Sequence, residues 1–172
     1  MYDLKNVAKD FPWTAVTWNS IEPWRKKGGN WFSEIPRGWG DVCLKYLTKL
    51  DKLLEKYNAK EYIAIEQVKE KYGTLRFYYI IMDWPVGLDY AEVKKGNYVE
   101  LANRNELVKQ FDQIVDDFEW ETRKVCYNCG TRENIVCYNG WIHYACPECE
   151  RRRMEEDERR MEELRADFKK KG

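Results

Sequence analysis

Four cysteines in two pairs, Cys126-x-x-Cys129 and Cys146-x-x-Cys149, constrain this chain more than any other feature. Each pair sets two thiolates on one tight turn, and four thiolates make a closed tetrahedral shell for zinc. The 16 residues between the pairs fall within the spacing such sites use. Where thiols are kept reduced, paired cysteines serve as metal ligands more often than as disulfides. One structural zinc ion is therefore the first reading and disulfides the second. Four sulfurs fill the coordination sphere, whereas a catalytic zinc keeps a position open.

The residues around the cysteines define a module. Gly130 follows the second ligand, as in a zinc knuckle. Two short strands, 135–138 and 141–145, flank Asn139-Gly140, a strong two-residue hairpin signal. Pro147 then sits where a helix tolerates it best, in the first turn. Knuckle, hairpin and a helix carrying the last ligands make a treble clef, and a plain zinc ribbon is the alternative. A two-residue turn places the fifth cysteine, Cys137, opposite Ile142 as a packed residue, and the single histidine, His143, opposite Val136.

The remaining sequence reads as an α+β body, a β-hairpin and small antiparallel sheet packed with two helices. Asp41 reads as the N-cap of a helix to about residue 57, with Cys43, Leu47, Leu50 and Leu54 on its apolar stripe. Cys43 on that stripe is a small buried residue. Residues 61–82 alternate as two strands about a turn at Lys71-Tyr72-Gly73. Strict alternation points Lys69 to the same side as Ile65 and Gln67. Residues 83–87 end the hairpin and 88–96 read as loop. Asn97 and Glu100 outline a capping box for a helix to about residue 123. The organisation expected is an aromatic arm at 1–40, the body at 41–123, the zinc module at 124–150 and a charged helical tail at 151–172.

Residues 1–40 hold five of the eight tryptophans, broken by Pro12, Pro23 and Pro36. The indoles either pack onto the body or, with Arg25 and its basic neighbours, present an aromatic and cationic ligand surface. Trp24 and Arg25 are the candidate residues there. The tail carries nine basic and nine acidic residues between 148 and 171, around a thin apolar seam at Met154, Met161, Leu164 and Phe168. That seam packs on the body, pairs with a second copy to form a homodimer, or stays solvated.

Lys plus Arg and Asp plus Glu both number 30, so overall charge selects no partner. No run of about 18 apolar residues predicts a membrane span, and no apolar leader follows Met1, so a cytoplasmic setting is expected.

A second motif runs from Gln67 through Val68-Lys-Glu-Lys-Tyr-Gly-Thr-Leu-Arg-Phe-Tyr78. It resembles the V-K-E-K-[FY]-G-x-L-R-F-Y hairpin of small uncharacterised bacteriophage and prophage proteins, which carry a later Cys-x-x-Cys pair and often a Gly-Trp hairpin. Gly140-Trp141 and the first cysteine pair match as well, over about residues 38–149. The resemblance implies a phage accessory protein in the host cytoplasm, acting on a host protein, a nucleotide or nucleic acid. It implies no mechanism.

Lys69, Lys71 and Arg76 gather at one hairpin end beside Tyr78, a candidate phosphate or nucleotide site. The plainer alternative leaves the lysines solvated and pairs Arg76 with Glu66 or Glu70. The function expected is non-catalytic binding. A zinc-stabilised nucleic-acid binder and a ββα-metal-like nuclease with His143 as base are the alternatives. The nuclease is weakened by the lack of a second histidine, and the zinc deaminase outline fails because Ala145 stands two residues after His143.

Overall fold

The structure, a computed structural model, describes residues 1–17, 26–27, 30–81 and 98–171. The capping-box residue Asn97, the loop read at 88–96, and the candidates Trp24 and Arg25 lie outside the described residues.

The fold is α+β. A short helix α1 (Val7–Asp10) in the N-terminal segment precedes strands β1 (Val16–Thr17) and β2 (Lys26–Lys27). Helix α2 (Gly40–Lys56) follows, then the hairpin β3 (Ile63–Lys71) and β4 (Thr74–Ile81), and helix α3 (Tyr98–Thr122). A second two-stranded sheet, β5 (Val136–Tyr138) and β6 (His143–Ala145), leads into the C-terminal helix α4 (Pro147–Lys171). The main sheet has the order β2-β1-β3-β4. Its one parallel contact, Thr17 beside Ile65, joins the N-terminal segment to the hairpin. Among the described residues no helix is long and apolar enough to cross a membrane.

The hairpin turns at Tyr72-Gly73, both with positive φ (53° and 74°), the two-residue geometry that matches strand twist. Ile65 faces Tyr79, but Gln67 faces Tyr78, so Glu66 is an extra residue on β3. This bulge reverses the alternation at its midpoint. Ile63 and Ile65 before it and Val68 after it are all buried. Lys69 therefore shares a side with Gln67 but not with Ile65, against the strict alternation expected.

Helix α2 begins one residue before Asp41, and Trp39 occupies its N-cap position without a side-chain cap. Asp41 instead accepts the Tyr2 backbone N–H at 2.6 Å, tying the chain start to the helix. The stripe Val42, Cys43, Tyr46, Leu47, Leu50 and Leu54 is buried as its spacing requires. Burial also pushes the Cys43 thiol well up, which makes it inert.

Leu107, Phe111, Val115 and Phe118 of α3 meet that stripe and the sheet in one core. Phe118 stacks on Tyr46 with centroids 5.2 Å apart, and Phe77 of β4 packs on both Phe111 and Phe118. Leu4, Val7, Phe11, Trp13, Phe32 and Trp39 join the same cluster, so these arm residues complete the core. Trp13 keeps its indole N–H satisfied on Asp51 at 3.0 Å.

Strand β4 is an edge of the sheet, and α3 covers it. Leu75 N–H donates to Thr122 Oγ1 at 3.2 Å and Phe77 N–H to Glu119 Oε1 at 2.9 Å. Backbone donors that would otherwise invite another strand are thereby occupied.

Candidate metal centre

Cys126, Cys129, Cys146 and Cys149 converge so that all four Sγ atoms lie within 4.8 Å of one another. The knuckle is built by backbone bonds. Cys126 N–H donates to Thr131 O at 2.8 Å and Gly130 N–H to Cys126 O at 3.0 Å. Across the module, Tyr127 N–H donates to Tyr144 O at 2.9 Å, fastening the knuckle to β6. Cys146 precedes Pro147, and Cys149 stands in the first turn of α4, where the helix N-terminus favours thiolate charge.

The donor set fits a metal. A tetrahedron with metal–sulfur bonds of about 2.3 Å has sulfur–sulfur edges of about 3.8 Å. Cys129 Sγ and Cys146 Sγ stand 3.8 Å apart. A disulfide would need about 2.0 Å, and all six cysteines are unbridged. Burial opposes the Cys126 thiolate, but backbone amides around Cys129, Cys146 and Asn128 outweigh it and bring the thiol down to about 7. Cys129 and Cys149 move the other way, raised by burial first; neighbouring sulfurs add to the rise. One thiolate is thus favoured from within the protein, and a dication supplies what four together need.

Besides the ion pair of Arg132 with Glu121 of α3, the module is fixed to the body at two places. Gly38 N–H donates to Tyr127 O at 2.9 Å, and a Cβ on Gly38 would fall 2.2 Å from Cys126 O. Only glycine allows the arm so close to the knuckle. Beside it, Arg37 Nε donates to the carbonyl and side-chain oxygens of Asn128 at 3.2 and 3.1 Å. The second place is the hairpin tip, where a Cβ on Gly73 would meet the Tyr144 ring at 2.9 Å. Tyr127 packs against both the body core and the small cysteine cluster.

His143 is buried beside the metal centre, but it is no ligand in this set. Its Nε2 lies 2.7 Å from Glu150 Oε2 and its Nδ1 2.6 Å from Trp141 O. Both partners are acceptors, so both ring nitrogens are engaged. Arg153 grips Glu150 with two nitrogens, at 2.6 and 3.1 Å. That guanidinium, against the opposing effect of burial and with help from His143, holds the Glu150 carboxyl down to about 2. Nothing in the cysteine spacing announces this network. Its one signal was the Glu150-x-x-Arg153 spacing in the first turns of a helix.

The module hairpin also differs from expectation. Residues 139–142 form a four-residue turn, so Cys137 faces Tyr144 and His143 faces Tyr138. Cys137 is exposed rather than packed and stands outside the four converging sulfurs.

The cationic hairpin end is already engaged. Arg76 donates to Glu119 Oε2 at 2.5 Å, on α3 rather than across the hairpin to Glu66 or Glu70. Lys69 donates to Gln67 and lies over the Tyr78 ring, while Lys71 lies over Tyr72. A separate cavity of about 470 Å³ opens where arm, hairpin tip and metal module meet. Arg37, Trp39, Tyr127, Trp141 and Arg153 are among its walls, with Glu34 and Glu70 on the body side.

No family model, no curated protein and no solved structure matches this chain.

Proposed function

We propose that the chain is a non-catalytic binding protein whose C-terminal module is a treble clef closed by one structural zinc ion. The observation that carries this reading is the convergence of four sulfurs at tetrahedral spacing. Cys126, Cys129, Cys146 and Cys149 would hold the ion, and a four-sulfur shell leaves it no exchangeable position. Zinc there supplies a rigid junction between knuckle and helix. The placement of His143 supports the same reading, because a general base needs a nitrogen free to reach water.

The likeness of Val68–Tyr78 to bacteriophage hairpins supports an accessory role in a host cytoplasm, on a host macromolecule or a nucleotide-type ligand. With Arg76 held by Glu119, contact falls at the cavity between Trp141 and Arg37 rather than at the hairpin lysines. The exposed indole of Trp141 suits stacking by a planar base.

Native mass spectrometry should find one zinc per chain. Tryptophan fluorescence during titration with nucleotides and short oligonucleotides should saturate, and Trp141→Ala should weaken binding by about tenfold or more. Nucleic-acid cleavage with magnesium or manganese, abolished by His143→Ala, would overturn the non-catalytic reading.

A further inference from the structure

From Met154 to Phe168 every residue of α4 is exposed, so the helix leaves the body as a free rod of roughly 21 Å. Along one side run its four apolar residues, Met154 (60% exposed), Met161 (51%), Leu164 (46%) and Phe168 (78%). Their spacings of seven, three and four are those of a heptad seam, with Met154, Met161 and Phe168 at one core position and Leu164 at the other. We infer that this seam pairs with the same seam of a second copy, the two helices running antiparallel as a two-fold symmetric dimer.

The flanking charges select that arrangement. With Met161 laid opposite Leu164 of the second copy, Glu158 faces Arg165 on one flank and Arg160 faces Asp167 on the other. Two-fold symmetry repeats each pair, so all four contacts join opposite charges. Phe168 then lies opposite Asp157 of its mate, between Met154 and Met161. Sliding the antiparallel pair by one heptad in either direction places like charges against each other, Glu158 on Glu158 and Arg160 on Arg160, or Arg165 on Arg165 and Asp167 on Asp167. The parallel in-register dimer is disfavoured too. It sets Asp157 against Asp157 within the seam and Arg160 against Arg165 on both flanks. Among these arrangements only this register and orientation joins opposite charges at all four flanking contacts and packs Met161 on Leu164 twice, which is how coiled coils specify their pairing.

Sedimentation equilibrium on the full zinc-loaded chain across the micromolar range tests this. Wild-type protein is expected to approach twice the chain mass. Arg165→Glu sets two glutamates face to face twice over, and Glu158→Lys does the same with cations. Each should weaken association by about tenfold or more. A one-to-one mixture of the two variants should restore the dimer, because both new cross-pairs then join opposite charges. A monomeric wild type at every concentration would overturn the inference. So would tighter association of Arg165→Glu alone, since that substitution relieves the arginine clash only in a parallel dimer. Both substitutions of charge lie on exposed helix surface, and circular dichroism should report unchanged helix content.

Discussion

Glu119 of α3 holds Arg76 of β4 at 2.5 Å through one carboxylate oxygen and the Phe77 backbone N–H at 2.9 Å through the other. One side chain thus closes both the charge and the open edge of the hairpin. Glu119→Ala should cost more than Arg76→Ala, because it also leaves a backbone donor unpaired, by roughly 1–3 kcal/mol. Urea unfolding of both single variants and the double variant would measure this. Equal losses for the two single variants would remove the edge-capping role of Glu119.

Metal removal should unfold the module. Zinc binding in small modules is worth on the order of 10–16 kcal/mol, and in this module that would be folding free energy. Cys126→Ser and Cys149→Ser should bind zinc poorly and melt at lower temperature, while Cys137→Ser should do neither. Zinc stoichiometry and calorimetry decide between these outcomes.

His143→Ala should destabilise the chain by about 1–3 kcal/mol, since it leaves one face of the buried Glu150 without its donor. Zinc content should stay at one per chain. Loss of metal in this variant would instead make the imidazole a ligand.

Acid should weaken the junction between α3 and the module. Burial opposes the Glu121 carboxylate, but bonds from Arg132 at 2.6 Å and Lys124 at 3.1 Å bring its pKa below the ordinary value of 4.5. In the unfolded chain Glu121 binds its proton at higher pH, so its stabilisation is present in full above that ordinary value. It is lost as pH falls through the folded value. The stability difference between wild type and Glu121→Gln should therefore be constant from pH 6 to 8 and shrink below about 4.5. A difference that grew on acidification would contradict the sign.

The core variant Phe118→Ala removes a ring fully buried between Tyr46 and Phe77. The expected cost is about 3–5 kcal/mol in denaturant unfolding.

The apolar stripes of α2 and α3 and the four cysteines were legible because each rests on local spacing. The Glu66 bulge was not, since an extra residue on one strand leaves no local mark in an otherwise alternating run. Everything downstream of it changed side, Lys69 included. The module turn misled for a related reason. Asn139-Gly140 favours a two-residue hairpin, but the packing of His143 against Tyr138 and Glu150 sets a register two residues away. Glu119 as the partner of Arg76 was out of reach, because the two lie 43 residues apart and nothing local joins them. Packing of the arm's indoles onto the body was among the readings its aromatic composition allowed, and Trp13 and Trp39 take that role, while their particular partners were beyond local spacing.

Arg37 grips Asn128 across 91 residues of chain. During synthesis at about 5–20 residues per second, the arm emerges roughly 5–18 seconds before the knuckle that receives it. The arm's apolar residues close on α2, the sheet and α3 as those emerge, whereas the contacts of Arg37 and Gly38 wait for the knuckle, which makes docking of the module the last step of chain assembly.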